Sequence, residues 1–96
     1  MSPPPPLIDG ASVRLYAVLE PRHELTGNTR HHVEGALLPP VQGLAICQYE
    51  SGSDAYLFRC NLSWQVLTDT CHSSIPEAQA QAEFEYKNVS ESWRSL

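Results

Sequence analysis

The sequence predicts an α+β fold, in which an antiparallel meander sheet of four to five strands carries one long C-terminal helix on one face. Two observations favour this class. Between residues 55 and 70, apolar and polar side chains alternate with the period of two that is typical of β-strands. From residue 75 onward, apolar residues recur every three or four positions, which is typical of a helix with one apolar stripe. Because both elements have an apolar side to bury, we expect the helix to pack against the sheet.

The length of 96 residues is that of a single domain with a modest core. Four consecutive prolines, Pro3–Pro6, favour polyproline II and cannot enter the interior of a sheet. Residues 1–10 are therefore predicted to form a flexible proline-rich tail, and residues 11–96 the single α+β domain. The P-x-x-P spacing of the tail could engage an aromatic groove, but a plain terminus is the simpler interpretation.

The first half of the domain predicts one clear strand and one weak one. Val13–Leu19 alternates with period two and ends at Glu20-Pro21. Residues 21–32 are polar and contain a Gly-Asn turn pair, so they are predicted to form an exposed loop. Val33–Leu38 is a candidate strand, which the prolines that follow it would confine to an edge.

Three further strands complete the predicted meander. Leu44–Tyr49 is apolar on both sides, and the turn-forming residues 51–54 connect it to the alternating run Ala55–Leu62. A short connection then leads into Trp64–Thr70, which alternates in the same way. These runs predict a hairpin followed by one more antiparallel strand.

The helix has the sharpest local signal. Ser74 and Glu77 have the spacing of a capping box, and Pro76 falls in the first turn, where its missing N–H is tolerated. The stripe that should face the sheet comprises Ile75, Ala78, Ala82, Tyr86, Val89 and Trp93. Phe84 lies on the opposite side of this helix, where it would either pack beneath a loop or contact a partner or second copy.

Charge and composition exclude several classes of function. Eleven acidic and six basic residues give a net charge of −5, which disfavours binding to a nucleic-acid backbone. No stretch approaches the roughly 18 apolar residues of a membrane helix, and the start of the chain does not resemble a signal peptide. We therefore expect a cytoplasmic protein without membrane or nucleic-acid partners.

The three cysteines are predicted to be reduced, because an odd number without dense pairing is not a disulfide framework. If the hairpin turn is centred on Ser53-Asp54, Cys47 and Cys60 would face each other across the strands as two buried thiols. Cys71 lies apart from both in the sequence.

The segment that precedes the helix holds the most compact polar cluster, Asp69, Cys71 and His72. A nucleophilic cysteine needs a lowered pKa and a base within hydrogen-bonding reach. Neighbouring residues of a strand point in opposite directions, so Cys71 and His72 would not pair directly without a turn. The structural interpretation, in which Asp69 and nearby threonines bond to backbone groups, is therefore the stronger one.

Metal binding is the next chemical possibility. The histidines and cysteines have suitable donor atoms, but none shows a recognised zinc spacing, so no metal or cofactor is predicted. The loop carries Arg22, His23, Arg30, His31 and His32, which could contact an acidic partner or respond to pH as histidines do. Solvated loop charges are the simpler interpretation.

These observations predict a non-enzymatic protein that associates with another protein or with itself, as a homodimer or an accessory domain. The candidate contact residues are Phe84, Arg22, Arg30, His31 and His32. An immunity-like inhibitor belongs to this class, because an acidic surface can cover a basic one. The alternative hypothesis is a thiol- or metal-dependent site at Asp69, Cys71 and His72.

Residues 56–93 contain a hairpin, a W-x(3)-TDT-x-H link and an EA-x(2)-QAE-x-EY helix. In this combination they resemble a small group of uncharacterised bacterial proteins. The matching residues are Trp64, Thr68, Asp69, Thr70, His72, Glu77, Ala78, Gln81, Ala82, Glu83, Glu85 and Tyr86. The resemblance implies an α+β architecture and a bacterial origin, with no activity, cofactor or catalytic residue attached.

Overall fold

The computed structural model describes residues 1–27, 32–33, 36–37 and 40–96, and side chains outside residues 28–39. It confirms the predicted α+β fold, with a five-stranded antiparallel sheet and one C-terminal helix on one face. The elements are β1 (Leu7–Ile8), β2 (Ala11–Val18), β3 (His32–Val33), β4 (Ala36–Leu37), β5 (Gly43–Gln48), β6 (Ala55–Cys60), β7 (Val66–His72) and α1 (Ile75–Glu85), followed by a short 3-10 helix (Val89–Glu91). The order of the main sheet is β1-β2-β5-β6-β7.

The first strand lies inside the segment predicted to be a flexible tail. Ile8 pairs with Ala11 across Asp9-Gly10, whose φ angles of 49° and 82° are both positive. A two-residue turn with two positive φ angles favours Asp-Gly and matches the twist of a hairpin. Pro4 is also buried. The structure therefore differs from the predicted tail, because the proline segment packs on the sheet and leads into its edge strand.

The turn of the central hairpin is centred between residues 51 and 52. Cys47 pairs with Tyr56, and Gly43 pairs with Cys60. The prediction that the two cysteines face each other is therefore wrong, since it placed the turn two residues too late. Both thiols are buried in the same core, and burial raises the pKa of each to about 12.

The weakly predicted strand Val33–Leu38 is divided into two short strands. His32 pairs with Leu37 and Val33 with Ala36, which forms a small two-stranded sheet apart from the main one. Residues 34–35 and 38–39 of the prediction lie outside the described residues.

Helix α1 begins where the capping signal predicts. The hydroxyl of Ser74 accepts a hydrogen bond from the backbone N–H of Glu77 at 3.2 Å. Ala78 and Ala82 are fully buried, as the predicted stripe requires. The helix ends at Glu85, earlier than the stripe predicts, because Tyr86 is extended and pairs with Leu25.

The sheet has a core on each face. The helix-side core contains mainly aliphatic residues, namely Ala17, Leu44, Ile46, Ala55, Leu57, Ala78, Ala82, Tyr86 and Val89. The opposite core is rich in aromatic residues and contains Ile8, Ala11, Val13, Tyr16, Ala45, Cys47, Phe58, Cys60 and Trp64. Within the described ranges, no helix is long and apolar enough to cross a membrane.

Candidate functional site

The predicted polar cluster is split between the two faces of β7. Asp69 pairs with Phe58 and Cys71 with Tyr56, whereas His72 pairs with Ala55. Directly paired residues share a face of the sheet, so Asp69 and Cys71 lie on the aromatic side and His72 on the helix side. The structure brings Asp69 and Cys71 to one face and separates His72 from both.

Cys71 lies beside a carboxylate on the surface of the sheet. Its thiol lies on the surface and donates to a carboxylate oxygen of Asp54, with Sγ and Oδ2 3.7 Å apart. A hydrogen bond to Cys71 raises the pKa of the Tyr56 phenol. The imidazole that nucleophilic chemistry would use as a base, that of His72, lies on the other face of the sheet. This arrangement therefore suits a surface thiol and gives no support to catalysis.

His72 belongs instead to a polar network that extends into the helix-side core. Its Nε2 lies 2.7 Å from the Thr70 hydroxyl, which is 3.3 Å from Arg59 Nη2. Because Arg59 can only donate, the Thr70 oxygen accepts from it. The Thr70 hydroxyl thus links the guanidinium of Arg59 to the imidazole of His72.

At the centre of the network is an ion pair with no exposed side-chain surface. Glu85 Oε1 accepts from Arg59 Nε at 2.7 Å, and Glu85 Oε2 accepts from Arg59 Nη2 at 2.6 Å. Gln81 Nε2 also donates to Oε2, at 2.6 Å. Arg59 Nη1 has no hydrogen-bond partner in the described part of the chain. The pair holds the end of α1 against β6 by a bidentate contact, in which two N–H groups of the guanidinium donate to the two carboxylate oxygens.

His23 and Ser92, which are distant in the sequence, are in contact and have the residue types of a base and a nucleophile. His23 Nδ1 accepts from the backbone N–H of Glu20 at 2.9 Å, while His23 Nε2 lies 2.7 Å from Ser92 Oγ. Burial, and then the charge of Arg22, lower the pKa of His23, so the ring is neutral at pH 7. With Nδ1 accepting, the single ring proton is on Nε2 and is donated to the serine. The imidazole therefore cannot remove the proton of Ser92, which excludes this pair as a serine nucleophile and base.

A cavity of about 380 Å³ lies beside Ser92. Arg22 contacts Glu20 at 3.3 Å and Glu91 at 3.9 Å along its wall, and these side chains are largely exposed. Exposed ion pairs contribute little to stability. Tyr16 and Pro3 also line this space, which connects it to the aromatic face of the sheet.

The remaining predicted contact residues fall in two places. The side chain of Phe84 is 50% exposed, and its carbonyl accepts from the Thr26 hydroxyl at 2.6 Å. Leu25 nearby is 56% exposed. Arg30 and His31 lie outside the described residues, and only the backbone of His32, in β3, is described. The structure therefore places Phe84 on the surface and does not test the basic loop as a unit.

A metal site does not emerge from the described ranges, since no group of three His, Cys, Asp or Glu side chains there could hold an ion. The sequence reasoning missed the Arg59–Glu85 pair. Its signal was available, because Glu85 follows Ala78 by seven residues and so lies on the apolar stripe of the helix. A carboxylate in that position requires a buried cationic partner.

Comparison with known protein families, with curated proteins and with solved structures finds no match for this chain. The resemblance of residues 56–93 to a bacterial group therefore stays a prediction.

The exposed outer edge of the sheet is the remaining candidate surface. Within the described residues, β7 pairs with β6 alone. Five of its residues, 68–72, pair with residues 59–55 in one unbroken register. The segment predicted as a reactive cluster is thus a regular strand that, among the residues described, is paired on one side only.

Proposed function

We propose that this chain is a non-enzymatic interaction protein that associates with a second copy of itself through β7. The free outer edge of residues 68–72 carries the proposal. An edge strand presents unpaired N–H and C=O groups that readily bond to another strand. Protein edges are commonly protected by Lys, Pro or a bulge. Residues 68–72 contain no Lys or Pro, and the bulge of β7, at Leu67, lies just before them.

Side-chain charge distinguishes two candidate registers for the pairing. In a symmetric antiparallel pair centred on Thr70, Thr68 of one copy faces His72 of the other, and Asp69 faces Cys71. No like charges then lie opposite each other. A pair centred on Asp69 would place two carboxylates together, which destabilises an antiparallel sheet. We therefore favour the register centred on Thr70.

The proposed setting is the cytoplasm, because all three cysteines are unpaired and such thiols persist in a reducing compartment. The net charge of −5 on each copy makes the two copies repel. Added salt screens this repulsion, so dimerisation should strengthen as salt is raised. An immunity-like protein that covers a basic partner would show the opposite response.

Two matched substitutions test the register. Cys71→Glu places a carboxylate opposite Asp69 twice in each dimer, whereas Cys71→Lys places an ammonium group there. Cross-strand charge pairs contribute about 0.2–1 kcal/mol each. We expect the dimer dissociation constant, measured by light scattering or sedimentation over a concentration series, to rise several-fold in Cys71→Glu and to fall in Cys71→Lys.

Phe84→Ala is the matched control, because it removes an exposed apolar side chain from a different surface. It should leave the dissociation constant unchanged. Dimerisation lost in Phe84→Ala and indifferent to both Cys71 substitutions would place the interface on the outer face of the helix. A monomer at every concentration and salt would reject self-association.

The thiol- or metal-dependent alternative gains no support from the geometry described above. Cys71 contacts Asp54, and His72 lies on the other face of the sheet. Thiol titration checks this point, since an interaction protein has no need for a rapidly reacting Cys71. Reaction of Cys71 at the rate of a free surface thiol is expected, and a rate far above it would revive the alternative.

A further inference from the structure

Residues 2–6 lie across the aromatic face of the sheet, and both ends of the proline run are held by hydrogen bonds. The indole Nε1 of Trp64 donates to the Ser2 carbonyl at 2.8 Å. The backbone N–H of Val13 donates to the Pro6 carbonyl at 3.0 Å. Between these two bonds, Pro4 is buried, whereas Pro5 is exposed. The segment is thus bound by its carbonyl oxygens and by one proline ring.

This is the chemistry by which aromatic grooves recognise proline-rich segments. Each proline fixes its own φ angle and keeps the preceding residue extended, so Pro3–Pro6 favour polyproline II before any contact forms. Polyproline II has no internal hydrogen bonds, and its carbonyl groups are free to accept from a groove. Aromatic-lined grooves use this preformed helix because little entropy is lost on binding.

The receiving side is formed by residues of other elements, which also bond to one another. The rings of Tyr16 and Trp64 lie edge to face, with centroids 6.0 Å apart. Trp64 has a positive φ of 61°, which is unfavourable for a residue with a large side chain. Asn61 stabilises this turn, since its Oδ1 accepts from the backbone N–H groups of Ser63 and Gln65 at 2.9 and 3.0 Å.

The absence of a side chain at Gly43 leaves room for the indole. A Cβ atom there would lie 2.6 Å from the Trp64 ring, which is closer than real Cβ contacts. Pro3 and Tyr16 also line the cavity of about 380 Å³. The proline segment therefore borders open space at this point.

We propose that the groove formed by Tyr16 and Trp64 is a binding site for proline-rich segments of another protein. Residues 2–6 occupy it in the isolated chain and compete with that partner. The occupant of the groove in this structure identifies the chemistry of the ligand. This site is separate from the β7 edge and does not depend on self-association.

The test releases the chain's own segment and supplies the same sequence as a free peptide. The probe is a fluorescent peptide of sequence SPPPPLI, and the protein is the full chain with Pro3→Gly and Pro4→Gly. When the chain's own segment occupies the groove, the apparent affinity for the peptide is reduced in proportion to the fraction of molecules in which the groove is open. We expect fluorescence anisotropy to show that the double glycine variant binds the peptide about tenfold more tightly than the wild type.

Two controls establish that binding uses the groove. A peptide of sequence SAAAALI should bind the glycine variant much more weakly, because it lacks the preformed helix. Trp64→Phe in the glycine variant keeps an aromatic ring but removes the indole donor, and should weaken binding several-fold. Equal affinity of wild type and glycine variant, equal affinity for both peptides, or unchanged affinity in Trp64→Phe would each reject the proposal.

Circular dichroism decides whether the glycine variant is folded. If it is not, Pro4→Ser is used with the same peptides and the same criteria. Failure of both variants to fold would also reject the proposal, because the segment would then be an inseparable part of the core.

Discussion

The two faces of the sheet are covered by unlike structures. On one face, α1 packs an apolar stripe on aliphatic residues and is fixed by the ion pair of Arg59 and Glu85. On the other, residues 2–6 cover Trp64 and are held at their ends by two hydrogen bonds. A helix with a buried stripe leaves a sheet only when the core opens, whereas a short segment with few contacts can leave by local opening. One cover is therefore a packed helix, and the other is the short segment that we propose to exchange with a partner.

The largest effect expected on the helix side comes from Glu85→Ala. Removal of the carboxylate leaves the guanidinium of Arg59 buried and unpaired, and breaking such a pair costs about 3–5 kcal/mol of unfolding free energy. Urea denaturation followed by circular dichroism measures the loss. Glu91→Ala is the control, since Glu91 is exposed and 3.9 Å from Arg22. A loss below about 1 kcal/mol would show that the pair does not secure the helix.

The double variant Arg59→Met/Glu85→Leu separates the cost of an unpaired buried charge from the net contribution of the ion pair to stability. Replacement of a buried ion pair by apolar side chains of similar size is often neutral or stabilising. We therefore expect it to recover most of the stability lost in Glu85→Ala.

Gly43→Ala should have the largest effect on the aromatic side. The added methyl group would meet the Trp64 ring at 2.6 Å, and overpacking of this kind costs about 1–3 kcal/mol. The displaced indole should also lose its bond to Ser2, so proteolysis near residues 1–8 should accelerate. Gly52→Ala is the matched control, because nothing lies within 4 Å of a Cβ atom there. Equal stability of the two variants would contradict the close packing of Trp64.

Ser74→Ala tests the start of the helix alone. The substitution removes the acceptor of the Glu77 N–H bond, and loss of such a cap costs about 1 kcal/mol. Chemical denaturation should detect this loss, and Ser95→Ala on an exposed site serves as the reference. Peptide binding at the proline groove should not change, since that groove lies on the other face. A coupled change in binding would show that the two covers are not independent.

The smallest expected effect concerns His23, which ties the loop to Ser92. Its pKa is lowered in the folded chain, so the unfolded chain binds a proton first as pH falls. Stability should therefore decrease as pH drops below about 6.5 and level off beneath the folded pKa. His23→Gln should remove this part of the pH dependence of the melting temperature. If the melting temperatures of the wild type and of His23→Gln differ by the same amount from neutral to acidic pH, the buried ring is not neutral in the folded chain.

Local signals predicted much of the fold. The period of two located β2, β5, β6 and β7, and the capping residues Ser74 and Glu77 located the start of the helix. The Asp9-Gly10 turn was an equally good signal for the first hairpin, but the adjacent prolines suggested a tail instead. The end of the helix was not predictable from its stripe, because Leu25, distant in the sequence, pairs with Tyr86.

The candidate sites depended on contacts between distant residues. Asp69, Cys71 and His72 are adjacent in sequence, yet the pleat of a strand separates them. His23 and Ser92 are 69 residues apart and form a hydrogen bond. Distance along the sequence therefore did not indicate which side chains are in contact, because strand pairing and packing decide it.

The sequence by itself determined the class of fold and the start of the helix, because periodicity, turn chemistry and capping residues are local properties. The tertiary structure alone decided that Arg59 and Glu85 pair in the core, and that the proline run lies on Trp64. These contacts arise from strand register and from the packing of separate elements. Both depend on the whole chain, so neither contact can be predicted from the residues around it in the sequence.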